Sequence, residues 1–192
     1  MKRMLAVALF ATAVSCMAQQ PQIRIDVNGM AGKIALTPVK SEQGFVVDNP
    51  GWMKENKECY LAVFGGKVDR NWTACEFSFT PDKDGKVTLN LMGPWFKEKD
   101  AKENSPVWVA YDNLTVTGAE IKNPDFENID NDGKFGDWNS SQENVLKDQS
   151  DAQSGKNYVK VWHNKRIWQT LEVKKGQTVT IKFFIKAVED KK

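Results

Sequence analysis

Histidine is nearly missing from this chain: His163 is the only one among 192 residues. A lone imidazole cannot build a multi-histidine metal site, and no Cys or His pair stands at zinc-ligand spacing. A Gly-x-Ser-x-Gly elbow and a phosphate-cradling glycine loop are also lacking. These gaps remove several common hydrolytic and nucleotide-dependent chemistries. His163 itself reads as a packed residue beside a turn rather than a base. After the first twenty residues no apolar run is long enough to span a bilayer, so a transmembrane helix is not expected. No segment shows a convincing amphipathic-helix period, and no low-complexity linker divides the chain. A glycoside hydrolase needs two carboxylates roughly 5–9 Å apart. With 25 Asp and Glu available, the sequence singles out no such pair.

Net charge is also scarce, at a formal +2. Both excess positive charges, Lys2 and Arg3, open the stretch MKRMLAVALFATAVSCMA, which continues with an apolar run from Met4 to Val14 and small residues before Ala18. This is the pattern of a secretory signal over residues 1–18. Its removal leaves a formal charge of about zero. A neutral chain argues against nucleic acid as a partner, since phosphate binding needs a net basic face. Lipidation at Cys16 is the alternative processing route, although the Leu usual three residues before a lipidated cysteine is missing. Either route places the protein outside the cytoplasm: secreted or periplasmic, or anchored at Cys16. Cys59 and Cys75 then remain in a compartment that permits a disulfide. Cys59 shares parity with Leu61 and Val63, and Cys75 with Phe77 and Phe79. A hairpin centred near Lys67 would set the two cysteines opposite each other; two buried thiols are the alternative.

What the sequence has in quantity is short alternation. Ile23–Val27, Lys33–Val39, Tyr60–Phe64, Thr73–Phe79, Lys86–Met92, Val107–Thr117, Tyr158–His163, Ile167–Val173 and Thr178–Ala187 all read as strands. The breaks carry turn residues, among them Gly65-Gly66, Asn131-Asp132-Gly133 and Lys175-Gly176. Pro81 to Gly85, between two clean strands, reads as a hairpin loop. About ten short strands with regular turns predict an all-β sandwich or barrel.

From Lys122 onward the order of short motifs is specific. Asn123-Pro124-Asp125-Phe126-Glu127 is followed by Gly136-Asp137-Trp138, Ser154-Gly155, Ile167-Trp168-Gln169-Thr170-Leu171 and Gly176-Gln177-Thr178-Val179-Thr180. This run resembles the N-terminal half of the carbohydrate-binding-module jelly rolls, the galactose-binding-domain-like fold. Upstream, Trp72, Phe77-Ser78-Phe79-Thr80, Val87–Leu91 and Tyr111-Asp112-Asn113-Leu114 resemble the C-terminal half. The halves are therefore in permuted order. The expected fold is a single jelly-roll β-sandwich over residues 19–192. The alternative is a sandwich over 19–120 followed by a partial second one over 121–192, which would leave raw strand edges. The resemblance implies one structural calcium ion held by Glu127 and Asp112. Phe184 is outward by parity, between inward Phe183 and Ile185, and the resemblance implies an aromatic at that place lining a glycan cleft. The separate acidic loop Asn128–Asp137 matches only the first half of an EF-hand loop, because Asn139 stands where the bidentate Glu belongs.

Two tryptophans draw attention in NYVKVWHNKRIWQTLEV, residues 157–173. Val159 and Val161 share one parity, as do Ile167, Leu171 and Val173; Trp162 and Trp168 take the other. A turn at Asn164–Arg166 would set the two indoles side by side across a hairpin. An outward pair of this kind suits stacking against a sugar ring, with Arg166, Lys160 and Asn164 as donors to its hydroxyls. Trp95 adds a loop aromatic of the kind that contacts ligands. Trp138 and Trp108 read as packed. The expected function is non-catalytic binding of an oligo- or polysaccharide. A cell-envelope structural or protein-interaction module is the alternative, and a glycan-active hydrolase the third reading.

Overall fold

The computed structural model describes residues 22–26, 34–41, 58–62, 70–93 and 96–188; for 22–26, 34–41 and 58–62 the description is of backbone pairing. The described residues form ten strands: β1 (Gln22–Asp26), β2 (Ile34–Ser41), β3 (Glu58–Ala62), β4 (Thr73–Pro81), β5 (Gly85–Met92), β6 (Val109–Thr117), β7 (Val145–Lys147), β8 (Asn157–Val161), β9 (Ile167–Val173) and β10 (Val179–Ala187). One 3₁₀ turn, Gln142–Asn144, precedes β7. The strands build a four-stranded sheet, β3-β1-β5-β9, and a six-stranded sheet, β2-β4-β10-β6-β8-β7. Every neighbouring pair is antiparallel. The protein is an all-β sandwich.

Alternation in the sequence becomes the core directly. Val87, Leu89 and Leu91 of β5, with Ile167, Leu171 and Val173 of β9, point inward from one sheet; Val159 and Val161 of β8, with Val179, Ile181, Phe183 and Ile185 of β10, point inward from the other. Each such side chain contributes about 1.5–3 kcal/mol on burial. Tyr111 crosses this core from β6, and its hydroxyl donates to the Met92 carbonyl of the opposite sheet at 2.9 Å. Burial pushes the Tyr111 phenol well above its usual pKa. The segment 122–139 enters the core through Phe126, whose ring meets Phe135 at 5.1 Å and Trp138 at 5.4 Å.

The connections differ from the expected hairpins. β4 lies in the six-stranded sheet and β5 in the four-stranded one, so residues 82–84 form an arch from sheet to sheet rather than a hairpin loop. β3 and β4 likewise belong to different sheets. No hairpin therefore places Cys59 opposite Cys75; Cys75 is buried, with its Sγ 4.0 Å from the Thr73 carbonyl, and the Cys59 side chain lies outside the described residues. β8 and β9 are also in different sheets. Their link is a tight turn closed by Lys165 N–H to the Trp162 carbonyl at 3.0 Å, after which the chain crosses over. The parity assignment of Trp162 and Trp168 holds, but one indole leaves the sandwich through each sheet. A short pairing, Asn139 with Trp168, borders β9 on its free side.

Strands from both halves of the sequence share each sheet. β10 lies between β4 and β6, and β9 lies beside β5.

Candidate functional site

The outer face of the six-stranded sheet carries the densest polar and aromatic chemistry. β6 sets it up through a bulge. Asp112 opposes Phe184 of β10 and Thr115 opposes Lys182, so Asn113 and Leu114 together oppose Phe183. Asn113 takes the left-handed conformation the bulge requires, with φ of 51°, a region Asn tolerates better than most residues. The bulge aims Asp112 outward, beneath the loop that joins β7 to β8.

That loop, residues 148–156, is pinned by two carboxylates. Asp112 Oδ2 accepts the backbone N–H groups of Gln153 and Ser154 at 2.8 and 3.0 Å, while Oδ1 accepts that of Asn113 at 2.7 Å. Glu127 Oε1 accepts the N–H groups of Lys156 and Asn157, both at 2.8 Å, and Oε2 accepts the Asn157 side-chain amide at 3.2 Å. Gly155 has φ of 62°, and a Cβ there would stand 2.4 Å from Glu127 Oε1, so glycine makes room for this carboxylate. Burial pushes the Asp112 carboxyl up to about 6, against the pull of its three backbone N–H donors and with the Glu127 charge adding to the rise. A calcium ion takes six to eight oxygen ligands. Here the oxygens of Asp112 and Glu127 face amide hydrogens, and among the described residues no three His, Cys, Asp or Glu side chains converge. In this arrangement the loop's own N–H groups bond both acids.

A second knot lies farther along the face. Lys186 is 3% exposed. Its ammonium donates to the Asp151 carboxylate and, at 3.2 Å, to the Asp151 carbonyl. It stands 4.5 Å from the Trp72 ring centre and 4.8 Å from that of Tyr158. The Trp72 indole N–H donates to the same Asp151 carbonyl at 2.7 Å, and the Tyr158 hydroxyl to Asp151 Oδ2 at 2.6 Å. A desolvated ammonium is tolerable with a carboxylate, a carbonyl and two π-faces around it. Burial, followed by the bond to Asp151, pushes the Tyr158 phenol far above its usual range.

Beside this knot runs a groove of about 530 Å³, walled by Trp108, Tyr158, Leu146 and Lys160, with Lys147 and Asp148 among its other lining residues. The Lys160 ammonium sits 4.5 Å from the centre of the Trp108 ring. Trp162 meets Trp108 edge-on, with ring centres 6.2 Å apart.

The structure thus brings some of the sequence-chosen residues together and separates others. Lys160 lines the groove with Trp108, and Trp162 packs edge-on against Trp108 without lining it. Trp168 is on the opposite side of the molecule, where it pairs in register with Asn90 of β5. Arg166 is exposed in the arch between the sheets, and Phe184 is half-buried on the outer face, opposite Asp112. Trp95 lies outside the described residues. Asp112 and Glu127 do converge, on the 148–156 loop. Trp138 is core, and its indole N–H donates to the Asn123 carbonyl at 2.9 Å. The acidic loop after Asn128 is a local turn, with Asp130 Oδ1 accepting the Lys134 N–H at 2.8 Å. Sequence reasoning missed Lys186 and Asp151. Lys186 has outward parity on β10, which looks like an ordinary solvated lysine, and Asp151 sits in a loop with no periodicity to read. Trp108 was legible as packed but not as a groove wall.

Compared with protein-family models, curated proteins and solved structures, the chain matches none. The chemistry of the face therefore has to be read from its own geometry. The groove is lined by two largely buried rings, Trp108 and Tyr158, and by cationic donors. Its two acids are already engaged: Asp148 Oδ1 accepts the Ser150 N–H and hydroxyl, and Asp151 holds Lys186 and Tyr158. Asp112, with its raised pKa, lies fully buried beneath the loop rather than in the groove.

Proposed function

We propose that this protein is a non-catalytic carbohydrate-binding β-sandwich of jelly-roll type that acts outside the cytoplasm. The observation that carries the reading is the groove on the six-stranded sheet. Its volume falls in the range of small-ligand sites, and indole and phenol walls stand beside hydrogen-bond donors. A sugar presents an apolar C–H face to an aromatic ring and hydroxyls to its surroundings, so both halves of the groove have a use. The engagement of Asp148 and Asp151 in local bonds favours binding over hydrolysis. Among the described residues Val107 is the one exposed large hydrophobic side chain, so the described surface carries no apolar patch of the kind a protein interface uses.

The test is titration of intrinsic tryptophan fluorescence with a panel of plant, host and bacterial glycans. A saturable change is expected with at least one of them. Trp108→Phe should weaken that binding about fivefold, the scale of a lost aromatic contact, whereas Trp168→Ala, on the opposite sheet, should leave it intact. A panel without any saturable change would sink the reading. Loss of binding only in Trp168→Ala would move the site to the other face.

A further inference from the structure

We infer that the ligand of this groove is an anionic saccharide, one bearing uronate carboxylates or sulfate esters. This rests on the carbohydrate reading above and narrows its ligand class. Four cations line the groove, Arg70, Lys147, Lys160 and Lys186, against two acids, Asp148 and Asp151. The Lys186 charge is matched by Asp151. Elsewhere on the described surface, lysines sit against carboxylates: Lys86 with Glu172 at 3.3 Å, Lys165 with Glu143 at 3.1 Å, Lys182 with Glu76 at 3.0 Å. Lys147 and Lys160 take part in none of the ion pairs found among the described residues.

The position of Lys160 matters most. Its ammonium lies over Trp108, which steadies the cation without neutralising it. A sugar lying in the groove would carry a pendant carboxylate or sulfate towards that ammonium, with Lys147 among the other lining residues. Bonds between charged partners are roughly twice as strong as neutral ones, and a cleft lined by one sign of charge concentrates the opposite sign. A neutral glycan would use the rings and leave both ammoniums without an acceptor of opposite charge. General attraction of polyanions is a poor substitute explanation, since the whole chain carries a formal charge of only +2.

The experiment compares matched ligands on the purified protein by fluorescence and calorimetry in low-salt buffer. The pairs are polygalacturonate with its methyl ester, and dextran sulfate with dextran; polyglutamate serves as an anion without sugar. Binding of at least one charged polysaccharide about tenfold or more tighter than its neutral partner is expected. Lys147→Ala/Lys160→Ala should weaken it roughly three- to tenfold, the scale of two exposed charge contacts. Lys174→Ala/Lys175→Ala, on the β9–β10 turn, should not. Which pair responds tells carboxylate from sulfate. Equal affinity for charged and neutral partners overturns the anionic inference and leaves the carbohydrate reading standing. Polyglutamate binding as tightly as the charged polysaccharides overturns it too, because charge alone would then suffice. No binding to any polysaccharide overturns both.

Discussion

Asp151 and Lys186 are unequal partners. The Lys186 side chain is 4% exposed and that of Asp151 is 51% exposed. Removing the acid strands an ammonium that water cannot reach, while removing the lysine leaves a carboxylate that water can solvate and that still accepts from Tyr158. Breaking a buried pair is costly chiefly through the charge left behind. We therefore expect Asp151→Ala to cost about 3 kcal/mol. Lys186→Met, which keeps the apolar stem between Trp72 and Tyr158, should cost about 1 kcal/mol. Urea unfolding of the two variants decides the matter; equal costs would mean that the ammonium finds water when its partner is gone. Phe126 shows the same economy in backbone terms. It holds φ of 60° with its ring fully buried, a conformation that costs on the order of 1–3 kcal/mol and that its packing against Phe135 and Trp138 offsets.

At the scale of elements, the bulge in β6 makes the site possible, because it sets Asp112 under the 148–156 loop. Asn113 supports it twice, by its left-handed backbone and by its side-chain amide, which donates to Gln153 Oε1 at 2.7 Å. Asn113→Gly keeps the backbone and loses the amide bond, so about 1 kcal/mol is expected. Asn113→Val puts a β-branched side chain at positive φ and should cost about 2–3 kcal/mol or more. If thermal or urea melts rank glycine as the worse replacement, the amide bond outweighs the bulge. The elements are also where the sequence was most and least informative. Alternation located nine of the ten strands, and the inward faces of those whose side chains are described, since a half-buried strand must alternate wherever it pairs. It missed β7, whose three residues are too few to show a period. It could not tell a hairpin from an arch. Residues 81–85 carry Pro, Asp and Gly whether the next strand lies alongside or across the core, and in both cases the aliphatics face inward. The same ambiguity separated Trp162 from Trp168. The convergence of Asp112 and Glu127 was legible only through a family resemblance, because no local pattern links residues 112, 127 and 153–157.

For the molecule as a whole, interleaving ties the site to global stability. β10 carries Lys186 between β4 and β6, β8 carries Tyr158 beside β6, and the loop between β7 and β8 is held from β6 and from residue 127. Loosening that loop should therefore be felt in unfolding, and pH is one way to do it. The folded Asp112 has its pKa raised to about 6 from an ordinary 3.8, so between those values the folded chain binds the extra proton. Stability from this group is fully present below about 3.8 and is lost as pH rises through about 6. The difference across the window is on the order of 3 kcal/mol. Asp84 is shifted the other way, lowered by the Lys175 N–H bond and by Lys174. Its contribution falls away below the ordinary carboxylate range, outside the window of Asp112. Unfolding free energy from urea melts is thus expected to be higher near pH 5 than near pH 7, and Asp112→Asn should flatten that slope. The variant should also be less stable near pH 5, because its amide nitrogen must face backbone N–H groups on one side or the other. A wild-type stability that is flat or rises from pH 5 to 7 would mean that the three N–H donors outweigh burial. Asp112 would then be an ordinary ionised staple, held to the loop at every pH the protein meets.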